Sequence, residues 1–376
     1  MKQNNTIKNF SFLGIGRIIT ITLHALFYLL LAALLDPEIY GELSVIVALA
    51  GTFSIISSLG LNLSLQVYQA KNNSNVSAQI TTLFLLSTSI AALILLFIDP
   101  IAALLCVCLS FFLLNQHRLL GLKKYKKHMI CNILKSGTFL IIPISLYFVF
   151  DIYGIVLGMA ISNFIGSLPI FRNITVKSFF DLKNYYKILI NNFGVEASGQ
   201  LSHTVDKLAI FSLFGFFIVG IYQFNFQVFL ALTVLPHVLG AYLVTEESSG
   251  IGHRKLSYFV VLGSILLAVV AIILAPILVP VFFPKYSEGI SALQVLVLSI
   301  IPMSINTIYH SKLLAKESTK IGFEIIVRIG SLLLFIVVLG EFYGLMGLSF
   351  AVLLSISTTT LFIYLLYHRS KSRIER

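Results

Sequence analysis

Residues 11–35 read SFLGIGRIITITLHALFYLLLAALL, an apolar stretch that ends at Asp36-Pro37. About 20 consecutive apolar residues are enough for an α-helix to cross the hydrocarbon core of a bilayer. The stretch is too long for the hydrophobic region of a secretory signal peptide, and no small-residue cleavage site follows it. We therefore expect it to be the first membrane-spanning helix and not a cleaved leader.

The same apolar character continues through the chain of 376 residues, of which 58% are hydrophobic and 11% charged, with a mean hydropathy of +0.97. Soluble domains carry about 25% charged residues, so this chain has too few to cover a water-facing surface. Lipid must face most of its length, which predicts an all-α polytopic membrane protein. About twelve spans are expected, at residues 11–35, 41–66, 78–98, 100–121, 129–150, 152–171, 188–213, 218–244, 257–282, 290–313, 322–340 and 343–367.

Lys and Arg are distributed unevenly between the two sides of this arrangement. Of the 26, 21 fall in the odd-numbered connections and the two tails and four within spans, whereas the opposite side holds only Lys285. Positive charge is retained on the cytoplasmic side of membrane proteins, so both termini of this multi-pass protein are expected in the cytoplasm, with the spans in the inner or plasma membrane. Topology and contact with anionic lipid thus explain the net charge of +11, and we expect no nucleic-acid partner.

Few residues have the spacing of a catalytic or cofactor site. The three cysteines, Cys106, Cys108 and Cys131, lie in apolar stretches and predict no disulfide framework. The sequence has no Cys/His cluster with metal-ligand spacing and no Gly-rich phosphate loop. Every connection on the far side is short, which argues against a glycan polymerase or ligase. We expect no enzyme activity, no metal and no cofactor.

The two halves of the chain resemble each other. DIYG at 151–154 matches EFYG at 341–344, and IYG at 39–41 matches IVG at 218–220. In both matches the second segment follows the first by about half the length of the chain. Both halves would begin on the cytoplasmic side, so the repeat is expected to be parallel, with its axis along the membrane normal.

This repeat predicts two six-helix lobes around a central cavity. The N-terminal lobe would comprise residues 1–172 and the C-terminal lobe residues 188–376. Between them, apolar residues at helical spacing predict a cytoplasmic amphipathic linker at 173–187, unless this segment is simply the early part of span seven.

Span seven carries the densest polar face within the membrane. At about 100° per residue, five polar residues fall within about 80° of one another around the helix: Asn192, Glu196, Gln200, His203 and Lys207. A charged side chain at mid-bilayer costs about 2.5–3.5 kcal/mol even on the mildest scale. The face is therefore expected to line the bundle interior or a watery cavity, and Asp206 could pair with His203 or Lys207.

Span one repeats this pattern, because Arg17, His24 and Tyr28 have the spacing of three polar residues on span seven. Two equivalent helices that face each other between lobes predict a binding site for a substrate or an ion; the alternative is an interhelical polar lock. The candidate substrate contacts are Arg17, His24, Tyr28, Gln200, His203 and Lys207, and the candidate ion-coupling carboxylates are Glu196 and Asp206.

Other ionisable residues within spans favour structural interpretations. Lys135 can extend toward the cytoplasmic end of span five. Glu324 and Arg328 form an i, i+4 pair on span eleven. His237 follows Pro236 in span eight and is interpreted as a core histidine.

Five segments resemble the multidrug/oligosaccharidyl-lipid/polysaccharide exporter superfamily, in its polysaccharide transport branch of flippases for O-antigen and other lipid-linked oligosaccharides. Each motif is degenerate, and the resemblance depends on their order and spacing along nearly the whole chain. The segments are LLDPEIYGELSVI (34–46), SSLGLNLSLQVYQAK (57–71), VDKLAIFSLFGFFIVGIYQFN (205–225), FFPKYSEGISALQVLVLSIIP (282–302) and GEFYGLMGLSFAVLLS (340–355).

The resemblance implies ion-coupled alternating access that carries a polyprenyl-diphosphate-linked glycan to the outer leaflet for cell-surface polysaccharide biosynthesis. Its implied partners are the lipid-linked glycan, membrane lipid and glycan-assembly enzymes, and Arg17 and Lys207 become candidate diphosphate contacts. One alternative is a cation-coupled small-molecule exporter of the same fold, against which these two cations count. Another is a non-transporting membrane scaffold of a glycan-synthesis complex.

Overall fold

The computed structural model describes residues 2–172, 174–178, 185–233, 254–315 and 323–374. These residues are helical almost throughout, and no β-strand occurs among them. Two short 3-10 turns, Leu201–His203 and Pro284–Gly289, interrupt the helices. The α-helices are α1 Lys2–Leu34, α2 Pro37–Ser58, α3 Leu61–Ala70, α4 Ser74–Leu96, α5 Pro100–Gly121, α6 Tyr125–Phe171, α7 Tyr186–Gln200, α8 Val205–Leu232, α9 Arg254–Phe282, α10 Ile290–Val297, α11 Ile300–Ala315 and α12 Glu324–Ile374.

Local side-chain chemistry sets several helix starts. The Asp99 carboxylate accepts hydrogen bonds from the backbone N–H groups of Ile101 (2.9 Å) and Ala102 (3.0 Å), which caps α5. The Asn73 side chain accepts from the N–H of Val76 at 3.1 Å and caps α4. Such caps satisfy backbone donors that a helix leaves free at its start.

Eight helical runs among the described residues are long and apolar enough to cross a membrane. Three long helices also contain a residue with non-helical backbone angles: Asp151 in α6, Gly215 in α8 and Gly344 in α12. Asp151 and Gly215 fall between predicted spans, and Gly344 is the second residue of the predicted span 343–367. The all-α polytopic class is confirmed, while the number of twelve spans stays a prediction.

The chain forms two compact units. The first comprises Met1–Phe27 with Leu43–Val205, and the second Tyr28–Glu42 with Asp206–Arg376. The predicted lobes at 1–172 and 188–376 therefore stay a prediction. Residues 174–178 of the predicted amphipathic linker are not helical, and most of its remaining positions lie outside the described residues.

Within the second unit, the start of α2 and the part of α8 that follows the break at Gly215 cross at two glycines. A Cβ atom at Gly41 would lie 2.7 Å from the carbonyl carbon of Phe216, and one at Gly220 would lie 2.6 Å from that of Pro37. The interval along the sequence from Gly41 to Gly220 equals that from Pro37 to Phe216. The repeat therefore exchanges the two sides of the crossing. At each side the backbones lie so close that only glycine fits.

The repeat has a different register in the later helices. Asp151 (φ 51°, ψ −138°) and Gly344 (φ 54°, ψ −132°) share one backbone conformation and are therefore structural equivalents. Gly154 and Gly347, which follow these two residues at equal distances along the chain, both pack against the backbone of the preceding helical stretch. The predicted match of DIYG with EFYG, which pairs Asp151 with Glu341, is thus wrong by three positions. The sequence match aligns the Tyr-Gly pairs of the two segments. In the structure, the feature that repeats is the backbone turn.

Candidate functional site

In the first unit, α7 packs closely against α3. Gly60, with φ 73°, precedes α3, and a Cβ atom there would lie 3.0 Å from the backbone of Asn192. The Asn192 side-chain amide donates to the Ser64 hydroxyl at 2.8 Å. This packing carries the next turn of α7, with Glu196, into the interior of the unit.

Glu196 has no cationic lysine or arginine in an ion pair among the described residues. Its side chain is 8% exposed, and Oε1 lies 3.5 Å from Nε2 of His117 on α5. Ser58, Asn62 and the Leu63 backbone direct polar groups toward the carboxylate. None of the described groups closes a hydrogen bond to the buried Oε2. The carboxylate therefore has only an imidazole as a partner that can carry positive charge.

His117 connects this carboxylate to further polar side chains. Its Nδ1 lies 2.9 Å from the Gln66 side-chain oxygen on α3, and His128 on α6 acts on it electrostatically. His117 is not among the site residues predicted from the sequence. A signal was present, because Asn115, Gln116 and His117 interrupt an otherwise apolar span.

A second polar cluster of the first unit joins α1 to α6. His24 Nδ1 donates to the Thr20 carbonyl at 2.8 Å, so its Nε2 carries the lone pair and accepts from Lys135 Nζ. The ammonium also lies 4.1 Å from the ring centroid of Phe139 and 5.5 Å from that of Phe112. Such cation–π contacts favour a buried ammonium.

The expectation that Lys135 extends toward the membrane surface is wrong. The residue is 7% exposed, because His24 and two aromatic rings hold the ammonium inside the unit. No carboxylate in the described parts of the chain forms an ion pair with it.

In the second unit, Asp206 and Lys207 pair with each other, which confirms the predicted pairing. Lys207 Nζ lies 3.3 Å from Asp206 Oδ1, and the Tyr222 hydroxyl donates to Oδ2 at 2.7 Å. The Asp206 side chain is 1% exposed, and Lys207 Nζ also lies 4.7 Å from the Phe226 ring. The charge of Lys207 is therefore offset within its own helix.

Arg328 on α12 is compensated in the same unit. Both Glu324 and Asp206 act on it electrostatically. Glu324 in turn lies 3.3 Å from His310 Nε2, and the Asn306 amide is 3.5 Å from its Oε1. The carboxylates of Asp206 and Glu324 thus balance the buried Lys207 and the partly buried Arg328.

The N-terminal part of the chain, residues 6–120, matches a family model described as polysaccharide biosynthesis protein. An uncharacterized membrane protein of Methanocaldococcus jannaschii is 24% identical over 88% of this chain and 90% of its own length. The structure is similar to that of the lipid II flippase MurJ in an inward closed conformation, with a TM-score of 0.73, 14% identity and coverage of 93% of this chain and 86% of that one. This is the fold of the multidrug/oligosaccharidyl-lipid/polysaccharide exporter superfamily.

A MATE transporter solved in complex with MaL6 has the same superfamily fold. Its TM-score is 0.65 at 15% identity, and the alignment covers 98% of this chain and 97% of that one. The predicted resemblance to the superfamily is confirmed. The chain is a multi-pass membrane protein with a fold shared by transporters and flippases.

Within this superfamily fold, the interruption between α7 and α8 changes the predicted polar face. Gln200 (φ −116°) ends α7 and Thr204 (φ −122°) follows the 3-10 turn that contains His203. Glu196 and Lys207 therefore do not lie on one continuous α-helix, and their angular positions on a straight helix do not apply.

The other predicted site residues are divided between the two units. Glu196 and His24 belong to the first unit, and Tyr28, Asp206 and Lys207 to the second. Their convergence on one cavity stays a prediction. The side chain of Arg17 and all of His237 lie outside the described residues.

Proposed function

We propose that this chain is a flippase that carries a polyprenyl-diphosphate-linked oligosaccharide from the cytoplasmic to the outer leaflet by ion-coupled alternating access. It would serve cell-surface polysaccharide biosynthesis from the plasma membrane, with both termini in the cytoplasm and no enzymatic step of its own. The match to the polysaccharide biosynthesis family and the likeness to a lipid II flippase support this assignment.

The observation that carries the proposal is that two cations at equivalent positions of the repeat differ in their counter-charges. The interval from Lys135 to Arg328 equals that from Asp151 to Gly344, so the two cations are equivalent in the structural repeat of these helices. Arg328 is compensated by Asp206 and Glu324, whereas Lys135 has a neutral imidazole and two aromatic rings. A buried charge without a counter-charge is unfavourable. An anionic ligand would supply the counter-charge that Lys135 lacks.

A diphosphate fits the donors that Lys135 offers. An ammonium has three N–H donors; one is given to His24, and two are left for phosphate oxygens. Charge-assisted hydrogen bonds of this kind are about twice as strong as neutral ones. Lys207 is the weaker candidate because Asp206 offsets its charge. Arg17, Tyr28, Gln200 and His203 remain candidate contacts on the same proposal.

The test is a substitution that removes the charge of Lys135 but keeps its length. Lys135→Met should leave completed lipid-linked oligosaccharide on the cytoplasmic leaflet at normal protein abundance, and Lys135→Arg should retain part of the transport. Arg328→Met is the matched control, and it should fail through low abundance because it leaves the two carboxylates Asp206 and Glu324 with Lys207 but without Arg328 to balance them. Normal glycan export by abundant Lys135→Met would refute the site. Incomplete lipid-linked units in a strain without the protein would assign it to synthesis.

One observation favours a small-molecule exporter as the second candidate. Glu196 is a buried carboxylate without a lysine or arginine partner among the described residues, which suits an organic cation. The fold is also shared with an outward-facing multidrug resistance MATE transporter, at a TM-score of 0.63 and 14% identity. Hypersensitivity to cationic compounds together with normal surface glycan, in a strain that lacks the chain, would favour this candidate.

A further inference from the structure

Three buried carboxylates in the described parts of the chain have different partners. Asp206 pairs with Lys207. Glu324 has His310 at 3.3 Å and, in addition, Arg328 one turn further along α12. Among the described residues Glu196 has only His117, at 3.5 Å between Oε1 and Nε2. A buried carboxylate without a fixed cation is stable only when a proton or a mobile cation neutralises it.

The contact with Gln66 defines which atom of His117 faces the carboxylate. With the Gln66 side-chain oxygen 2.9 Å from Nδ1, this nitrogen carries the ring hydrogen and donates it. In the neutral ring the Nε2 lone pair then faces the lone pairs of Glu196 Oε1. One added proton, on either atom, converts this repulsion into attraction. Proton positions on imidazole follow from the hydrogen-bond network in this way.

We infer that Glu196 and His117 together bind one proton, and that this proton is the ion whose gradient drives the transport proposed above. Only the second half of this inference rests on the proposed function. The proton enters from the outer aqueous phase, forms one O–H or N–H bond in the pair, and leaves to the cytoplasm when that bond breaks. No other bond changes.

The surroundings of the pair favour a proton over sodium. The ion-pair partner of Oε1 is an imidazole nitrogen at 3.5 Å, whereas hard cations prefer oxygen ligands. On the facing elements, α2 and α3 contribute Ser58, Asn62 and Gln66, which do not titrate. Besides His117 on α5, His128 on α6 is a titratable group that acts on His117 among the described residues.

Loss of the proton has a structural consequence because Glu196 lies on α7. The buried Oε2 has no hydrogen-bond donor among the described residues, so the ionised form is poorly solvated where α7 packs against α3. Deprotonation therefore weakens the packing at Gly60 and Asn192, and protonation restores it. The proton thus controls a contact of the helix that leads into α8.

Infrared difference spectroscopy of the purified full chain in lipid tests proton binding without any substrate. The carbonyl band of a protonated carboxylic acid should appear on acidification and be lost in Glu196→Gln, an isosteric change that needs no refolding. His117→Asn should retain the band but shift its titration midpoint. Glu324→Gln is the matched control and should retain the band, because it removes a different buried carboxylate that lies near Arg328.

A band that survives in Glu196→Gln, or that responds to Na⁺ at constant pH, would overturn the proton site. The coupling role is measured separately, as glycan export under an imposed pH or sodium gradient. Export should lose its dependence on the pH gradient in Glu196→Gln. If the band titrates as expected but the chain moves no lipid-linked glycan, the proposed function fails while the proton site stands.

Discussion

The glycine crossing of α2 and α8 allows a quantitative prediction about packing. An alanine Cβ at position 220 would lie 2.6 Å from the carbonyl carbon of Pro37, whereas non-bonded carbons rest at about 3.5–4.0 Å. The two crossing stretches must therefore separate by at least about 1 Å in Gly220→Ala, and overpacking of this kind costs about 1–3 kcal/mol. Gly41→Ala, with 2.7 Å to the carbonyl carbon of Phe216, should cost a similar amount.

The double variant Gly41→Ala, Gly220→Ala tests whether the two glycines belong to one crossing. A separation that accommodates one methyl group also accommodates the other, since both lie at the same crossing. The combined loss in unfolding free energy should therefore be smaller than the sum of the single losses by about 0.5 kcal/mol or more, as expected for coupled sites. The matched control is Gly330→Ala on α12, where no atom lies within 4 Å of the new Cβ; a helical glycine replaced by alanine there gains about 0.5–1 kcal/mol.

The assay follows from the composition. The chain has no Trp, but Cys106, Cys108 and Cys131 are free and buried. A thiol-reactive fluorescent dye therefore reports unfolding in detergent as these side chains become accessible. Gly220→Ala with the unfolding midpoint of Gly330→Ala, or strictly additive losses in the double variant, would refute the packing argument.

Two further predictions follow from the second unit and from the charge distribution. Asp206→Asn leaves a buried lysine without its counter-charge and should lower the unfolding free energy by about 3–5 kcal/mol. Tyr222→Phe removes one hydrogen bond and should lower it by about 1–3 kcal/mol. Equal unfolding midpoints of the two variants in the dye assay would contradict this order. A reporter fused after Lys127 or Arg376 should be cytoplasmic and one inserted near Glu288 external, and a cytoplasmic signal at the last site would contradict the predicted topology.

The polytopic fold was predictable because it depends on composition and on the length of apolar stretches. The pairing of Asp206 with Lys207 was also predictable, since adjacent residues on one helix are close in any packing. The partners of Lys135 and Glu196 were not, because each contact joins helices that are distant in the sequence. His24 was selected for its spacing on span one, but its role as the acceptor for Lys135 depends on how α1 packs against α6.

The interruption of span seven could not be predicted from the sequence either. Residues 201–203 contain no proline or glycine, and the helical periodicity runs through them without a visible break. The register of the repeat was misjudged for a related reason. Sequence letters at 151–154 and 341–344 match better than the true structural equivalents, because the turn requires a backbone conformation and not a particular side chain.

The unequal surroundings of Lys135 and Arg328 have a consequence for the origin of the chain. In a symmetric homodimer every substitution appears in both copies, so a carboxylate placed beside one cation would also stand beside the other. Gene duplication and fusion remove this constraint. In the register that relates Gly41 to Gly220, Asp206 in the second half corresponds to Phe27 in the first. A fused gene can therefore neutralise one cation by a single mutation and keep the other charged, whereas an ancestor assembled from identical copies could not.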